Sequence, residues 1–302
     1  MDEKLRTFGA FGLRIAAPFS LTALRPATGP ADIAIALDEG PEGPLYDQAR
    51  WSVEDAGDRV VFDIGALSFA VEGGRRIAVT AAPSVAHREL VTWLTGPVMG
   101  AALLQRGMLA VHANAVVFAD GEAAAMLGSA GDGKSTLAAA LDAGGVEPLC
   151  DDLLGISFNA DGHPLVHPGI PRVKLKPEAA DRLGIDVSNA PFVGAGMQKY
   201  EVALRKEAAW DRSFRLSRLY VLERGPLAIE PIRGQRAAAV LLENLFWPDA
   251  QEALPGYADR FVQAMRLAEA ADCFVYRRPF DLDRIVETRD ALIDHLRTPL
   301  QL

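Results

Sequence analysis

A chain of 302 residues exceeds the ~100 to 200 residues of an ordinary domain, and half its residues are hydrophobic with 24% charged, the composition of a folded globular protein and not of a disordered one. The net charge is −9, from 31 Lys and Arg against 40 Asp and Glu, which opposes any partner held mainly through a phosphate backbone and sets nucleic acid aside. Cys150 and Cys273 are too few for a disulfide scaffold and suit a reducing cytoplasm.

The N-terminal stretch carries Asp2 and Glu3 where an export signal needs positive charge. Residues 1–84 then mix short apolar runs (13–16, 33–36, 60–64, 77–81) with turn formers, the pattern of a small β-rich domain. Within it, 62–71 and the Gly73-Gly74 turn before 77–79 predict a hairpin. From 85 to 106 apolar residues recur at helical spacing, as in a connector or the first helix of a second domain, 85–302. The uncharged run 90–105 has 16 residues, below the ~20 that cross a bilayer, and Gly96-Pro97 divides it, so no membrane partner is expected.

Beyond residue 107 strands and helices alternate. A strand is predicted over 109–118, a turn at 120–121 and a second strand over 123–127. A Gly-rich loop, a helix over Lys134–Ala143 and a strand over 146–150 complete a β-loop-α-β unit. Strands over 219–222 and 229–232, a helix over 236–245 and a C-terminal helix over 282–297 follow.

The loop carries the main chemical signal. Gly128, Ser129, Ala130, Gly131, Asp132, Gly133, Lys134, Ser135 and Thr136 satisfy the pattern of Gly, four residues, then Gly-Lys-Ser. Placed between a strand and a helix, their backbone N–H groups converge on one spot that favours phosphate oxygens. Lys134 suits the β and γ phosphates and the Ser135 hydroxyl suits Mg²⁺, so the nine residues predict a nucleoside triphosphate site.

Asp151 and Asp152 end the next apolar strand, 17 and 18 residues beyond Lys134. A parallel neighbour strand would deliver both to the carboxyl edge of the sheet beside the loop. Successive strand side chains point oppositely, so one acid is expected towards Mg²⁺ and the other towards an acceptor hydroxyl.

The order and spacing of His112, the loop 128–136 and Asp151-Asp152 resemble the HPr kinase/phosphorylase superfamily. Within it the chain looks more like the HPr-kinase-related proteins of peptide-modification clusters, including kinases of lasso-peptide precursors. The resemblance covers roughly residues 100–300. It implies an α/β P-loop kinase domain, similar also to phosphoenolpyruvate carboxykinase, preceded by the small β-rich N-terminal domain. It implies ATP and Mg²⁺ as cofactors and, as partner, a serine-containing peptide or small protein, such as a lasso-peptide precursor or an HPr-like carrier. Carried over, Lys134 and Asp152 are catalytic, Asp152 taking the serine proton, with Ser135 and Asp151 on the metal. His112 matches the family's histidine on the strand before the loop; on its own, a His among Ala, Val and Asn reads equally as a hydrogen-bonded structural residue.

The chain departs from that family after the acids. No equivalent of the acidic, Arg-containing signature with its metal-binding Glu is found over 167–178, which puts phosphorylase activity in doubt. Arg172 and Lys174, two apart on an extended segment, share a face that suits phosphate or an acidic substrate, or simply solvent. Lys199 follows a Gly-rich segment, Gly194 to Gly196, where relatives place a cation, and joins Arg172 as a candidate nucleotide contact. The basic stretch formed with Arg205, Lys206, Arg212, Arg215 and Arg218 reads as a peptide-binding face or a solvated one. His163 and His167 are four apart, but Pro164 and Pro168 break any helix there, and no zinc is assigned.

A serine kinase is the leading reading. The alternatives are a P-loop hydrolase switch, which usually places its acidic metal residue much further along the chain, and a regulatory nucleotide-binding module without an acceptor. A homo-oligomer is compatible with the sequence.

Overall fold

The computed structural model describes residues 5–118, 121–193, 198–205, 208–248 and 252–299. Asp120 of the expected 120–121 turn, Gly194 and Gly196, and Lys206 lie outside the described residues. Eight strands come first: β1 Arg6–Ala10, β2 Leu13–Ala17, β3 Arg25–Pro26, β4 Ile33–Glu39, β5 Leu45–Glu54, β6 Arg59–Gly65, β7 Leu67–Glu72 and β8 Arg76–Ala81. They form one sheet in the order β3-β1-β2-β4-β8-β7-β6-β5. Alternation sorts its faces, as in β6, where Val60, Phe62 and Ile64 are buried between half-exposed neighbours. The expected hairpin about Gly73-Gly74 is β7 and β8, with Glu72 opposite Arg76, but the segment 62–71 expected as its first strand is folded on itself into β6 and β7, with Asp63 opposite Ser68.

The helix expected over 85–106 is two helices, α1 His87–Trp93 and α2 Met99–Gln105, joined by a π-type turn Leu94–Val98. Pro97 has no N–H for the ladder, so the break falls where Gly96-Pro97 stands. Leu90, Leu94, Val98 and Leu103 share one buried cluster with Val60, Phe69 and Ile77 of the sheet. Gln105 fastens the junction: its Oε1 accepts from Gly74 N–H at 2.7 Å and its Nε2 donates to the Asp58 carbonyl at 2.9 Å.

The second sheet begins with β9 Leu109–Val111, β10 Ala113–Val117 and β11 Glu122–Leu127. After α3 Lys134–Ala143 come β12 Glu147–Cys150, β13 Leu154–Phe158 and β14 Pro164–His167. A three-stranded sheet follows, β15 Arg172–Leu175 with β16 Phe192–Val193 and β17 Lys199–Ala203, with α4 Pro177–Arg182 between β15 and β16. The chain then returns to the second sheet with β18 Phe214–Arg224 and β19 Ala228–Ile232. It continues through α5 Gln235–Glu243, α6 Tyr257–Ala270, β20 Asp272–Arg278 and α7 Ile285–Arg297.

The second sheet runs β12-β10-β11-β18-β14-β13-β9, with β20 on β18 and β19 on β20. Helices cover both faces, because odd and even strand positions are apolar alike. Ala124 and Met126 of β11 meet Leu137 of α3 and Leu292 of α7. Ala123, Ala125 and Leu127 belong to the opposite cluster, with Leu241 of α5 and Leu267 of α6. The chain is thus a mixed α/β protein.

Two expectations need correction. The strand over 109–118 is two strands broken at His112: β9 pairs with β13, whereas β10 pairs with β11 and β12. The strand carrying the acids is not the neighbour of the loop strand, since β10 lies between β12 and β11 and is antiparallel to both. Two antiparallel steps restore the direction, so β12 and β11 still end on the same edge.

Candidate active site

β11 delivers Gly128 to that edge, and Gly133, with φ +77°, caps α3. Gly131 also has positive φ, and a Cβ there would meet only open space, so the crown of the loop is unobstructed. Ser129, Ala130 and Gly131 form its exposed crown, while Gly128 is buried and donates its N–H to Asn244 Oδ1 at 3.0 Å. Asp132 folds back so that its Oδ2 accepts from Ser129 N–H at 2.7 Å, a carboxylate on a loop amide. Thr136 is half-buried in the first turn of α3.

Lys134 is buried and donates from Nζ to the carbonyls of Gly128 at 2.6 Å and Ser129 at 3.2 Å. Burial lowers its pKa, and the attractions of Asp152, Asp151 and Asp132 work against that shift. The ammonium therefore sits against the loop carbonyls, near enough to both acids for their charges to act on it.

Asp151 is buried where β12 ends. Its Oδ1 accepts from Ser135 Oγ at 2.9 Å and Asn114 Nδ2 at 2.7 Å, and its Oδ2 accepts from Lys174 N–H at 3.0 Å. Burial raises its pKa, and the neighbouring Asp152 raises it further. A buried carboxylate beside a hydroxyl suits a hard divalent cation, which takes oxygen ligands and keeps several waters. Asn114 Oδ1, buried with no partner among the described residues, is a further oxygen beside the carboxylate. Among the described residues no three His, Cys, Asp or Glu side chains gather as a metal cluster, so a cation here rests on Ser135 and Asp151. These two residues and the unobstructed glycine loop fit a Mg²⁺-triphosphate.

Asp152 turns the other way. It holds φ +74° in a tight turn closed by Leu153 N–H on the Asp151 carbonyl at 2.9 Å, a strained conformation for a residue with a Cβ. Its carboxylate is half exposed and meets His112 Nδ1 at 3.2 Å, and its own carbonyl lies 3.1 Å from the same nitrogen. Both partners are acceptors, which assigns the proton to Nδ1. Burial holds the His112 pKa below its ordinary value, with the pull of Asp152 opposing and Lys134 reinforcing it. At neutral pH the contact is accordingly a neutral imidazole donating to a carboxylate. His112 itself is fixed by its N–H on the Asn244 carbonyl at 2.8 Å.

Asp151 and Asp152 also line a cleft of about 150 Å³. Its walls include Thr22 near the first sheet, Thr92 and Thr95 of the α1 region, Arg172 and Lys174 of β15, and Phe192. Arg172 and Lys174 share one face of β15, as their spacing requires. Arg172 is occupied, however, with Glu201 at 3.0 Å and the Thr22 carbonyl at 2.9 Å, which places it in the cleft wall. Lys199 opens β17 close enough to His112 and Lys134 for its charge to depress both pKa values.

The basic stretch does not form one face. Arg218 is buried and donates to the His295, Leu296 and Thr298 carbonyls at the end of α7. Arg212 lies over Phe214, Arg215 approaches Glu122, and the backbone N–H of Arg205 caps Asp142. His167 bonds Ser157 Oγ at 2.7 Å. Cys150 is a buried free thiol whose pKa is raised by burial.

Asn114, Asn244 and Arg278 escaped the reading of the sequence. Asn114 had a signal, a lone amide inside the apolar run of β10. Arg278 ends β20, and its guanidinium donates to the Asp132 carbonyl at 2.6 Å. Asn244 offers no local signal.

No family model matches the sequence, and no curated protein matches it. The structure has similarity to the HPr(Ser) kinase/phosphatase from Coxiella burnetii, at 11% sequence identity and a TM-score of 0.33, over 62% of this chain and 95% of that one.

Proposed function

We propose that the chain is an ATP- and Mg²⁺-dependent serine kinase of P-loop architecture. Residues 85–302 form its catalytic domain and 1–84 an accessory β-rich domain. The acceptor is a serine hydroxyl of a peptide or small protein, a lasso-peptide precursor or an HPr-like carrier being the two candidates. One observation carries the reading. The Ser135–Asp151 contact and the His112–Asp152 contact stand on adjacent residues at the end of β12, both within the electrostatic reach of Lys134.

Bound Mg²⁺-ATP supplies a transferable γ-phosphoryl group. The loop amides and Lys134 hold and neutralise the phosphates, a task that electrostatics and positioning dominate. Ser135 and Asp151 hold the metal. Asp152 receives the proton of the acceptor hydroxyl, and His112, donating to it from Nδ1, fixes the carboxylate for that role. The acceptor enters by the cleft at Thr92, Lys174 and Phe192, which the same two acids also line.

Mass spectrometry of both candidate acceptors after incubation with the full chain and Mg²⁺-ATP tests this. One added phosphate on a serine, absent with Asp152→Asn, is the expected result. Rapid release of phosphate with no acceptor modified would replace the kinase by a hydrolase.

A further inference from the structure

β18 and β20 run parallel to β11 and end on the same edge, on the side of the loop away from β10 and β12. Their last residues are Arg224 and Arg278, and Phe280 follows two positions later. Phe280 is 53% exposed, more than any other aromatic ring among the described hydrophobic side chains. It is also close to the loop: a Cβ on Gly133 would lie 3.5 Å from its ring and 2.6 Å from an Arg278 nitrogen. The Arg224 guanidinium covers the ring at 3.8 Å from its centroid. Arg278 is buried on the Asp132 carbonyl, and its Nε has no partner among the described residues.

A triphosphate on this loop has a direction. Its γ end belongs with Ser135, Asp151 and Asp152, so the nucleoside end leaves towards the opposite side, over the ends of β18 and β20. There the chain presents a half-exposed apolar ring with a planar cation resting on it, two flat groups between which a base can stack. On the nucleotide reading given above, we propose that the base of the bound nucleotide inserts between the Phe280 ring, its stacking platform, and the Arg224 guanidinium, which lifts from the ring it now covers to lie on the base's other face. Arg278 fixes the loop beneath them.

Calorimetric binding of Mg²⁺-ATP and of Mg²⁺-tripolyphosphate to the full chain separates the two ends of the ligand. Phe280→Ala is expected to weaken ATP about tenfold while leaving tripolyphosphate within about twofold, the size of one lost base stack. Phe280→Trp should restore ATP, and Arg224→Ala should weaken ATP about threefold without affecting tripolyphosphate. Equal losses for both ligands, or unchanged ATP affinity in Phe280→Ala, would overturn the platform while the phosphate site stands. Wild-type protein that binds neither ligand would remove the nucleotide reading and the platform with it.

Discussion

Ser135 Oγ donates to Asp151 Oδ1 across 2.9 Å, although 16 positions separate the two residues and β10 lies between β12 and β11, the strand that leads into the loop. The contact joins the first turn of the loop helix to the end of β12, the arrangement needed to share a hard cation. Mg²⁺ should therefore add to the rise in melting temperature produced by ATP, since a ligand that binds only the folded state stabilises it by mass action. In Asp151→Ala that increment should vanish while the rise with ATP in a chelator persists. A retained Mg²⁺ increment would remove Asp151 from the metal.

Asp152 acts on a different coordinate. Its carboxylate is half exposed and already oriented by His112, so Asp152→Asn leaves the loop and its charges almost intact. The variant should bind Mg²⁺-ATP with wild-type affinity and lose about 10² to 10⁴ in turnover, the range of a missing general base. Titration calorimetry and a steady-state assay on the modified acceptor give the two numbers. Near wild-type turnover would leave Asp152 with only a structural turn to explain.

Gly133 is required for two reasons, its φ of +77° and the Arg278 nitrogen 2.6 Å from where a Cβ would be. Left-handed backbone alone costs a residue with a Cβ about 1 to 2 kcal/mol. Gly133→Ala should lower unfolding stability in urea by at least that amount, and Arg278→Ala should return the steric part in a double-mutant cycle. Strict additivity of the two substitutions would show that Arg278 does not press on the loop.

The loop from Gly128 to Thr136 was legible in the sequence because its chemistry is local: glycines where φ turns positive, then a cation and a hydroxyl opening a helix. Asp151 and Asp152 were legible as a strand end. What intervenes was not. Residues 109–111 and 113–116 are all buried, so apolar periodicity contains no trace of the break, and only His112 marks it. β10 pairs locally with β11, but its pairing with β12, Ala115 opposite Cys150, is a long-range choice that neither strand records. The basic stretch misled for a related reason, since alternation and the reach of Arg218 to α7 scatter charges that are contiguous in the chain.

The His112 contact also has a pH signature. Burial depresses its folded pKa below the ordinary value of 6.5, so the unfolded chain takes up a proton first as pH falls. The stability held by neutral His112 is complete above about 6.5 and is lost as pH falls from there through the folded pKa. His167 and His295 are depressed by burial too and contribute with the same sign. Asp151, with its raised pKa, contributes the opposite slope, stability falling as pH rises from the ordinary carboxylate value to its own. The share of His112 is isolated by difference. Unfolding free energies of wild type and His112→Gln, measured in urea from pH 8 downwards, should converge below pH 6.5 as the wild-type value falls faster. Parallel curves across that range would mean that His112 carries no pH-dependent stability, and that its hold on Asp152 is not the neutral donor contact described.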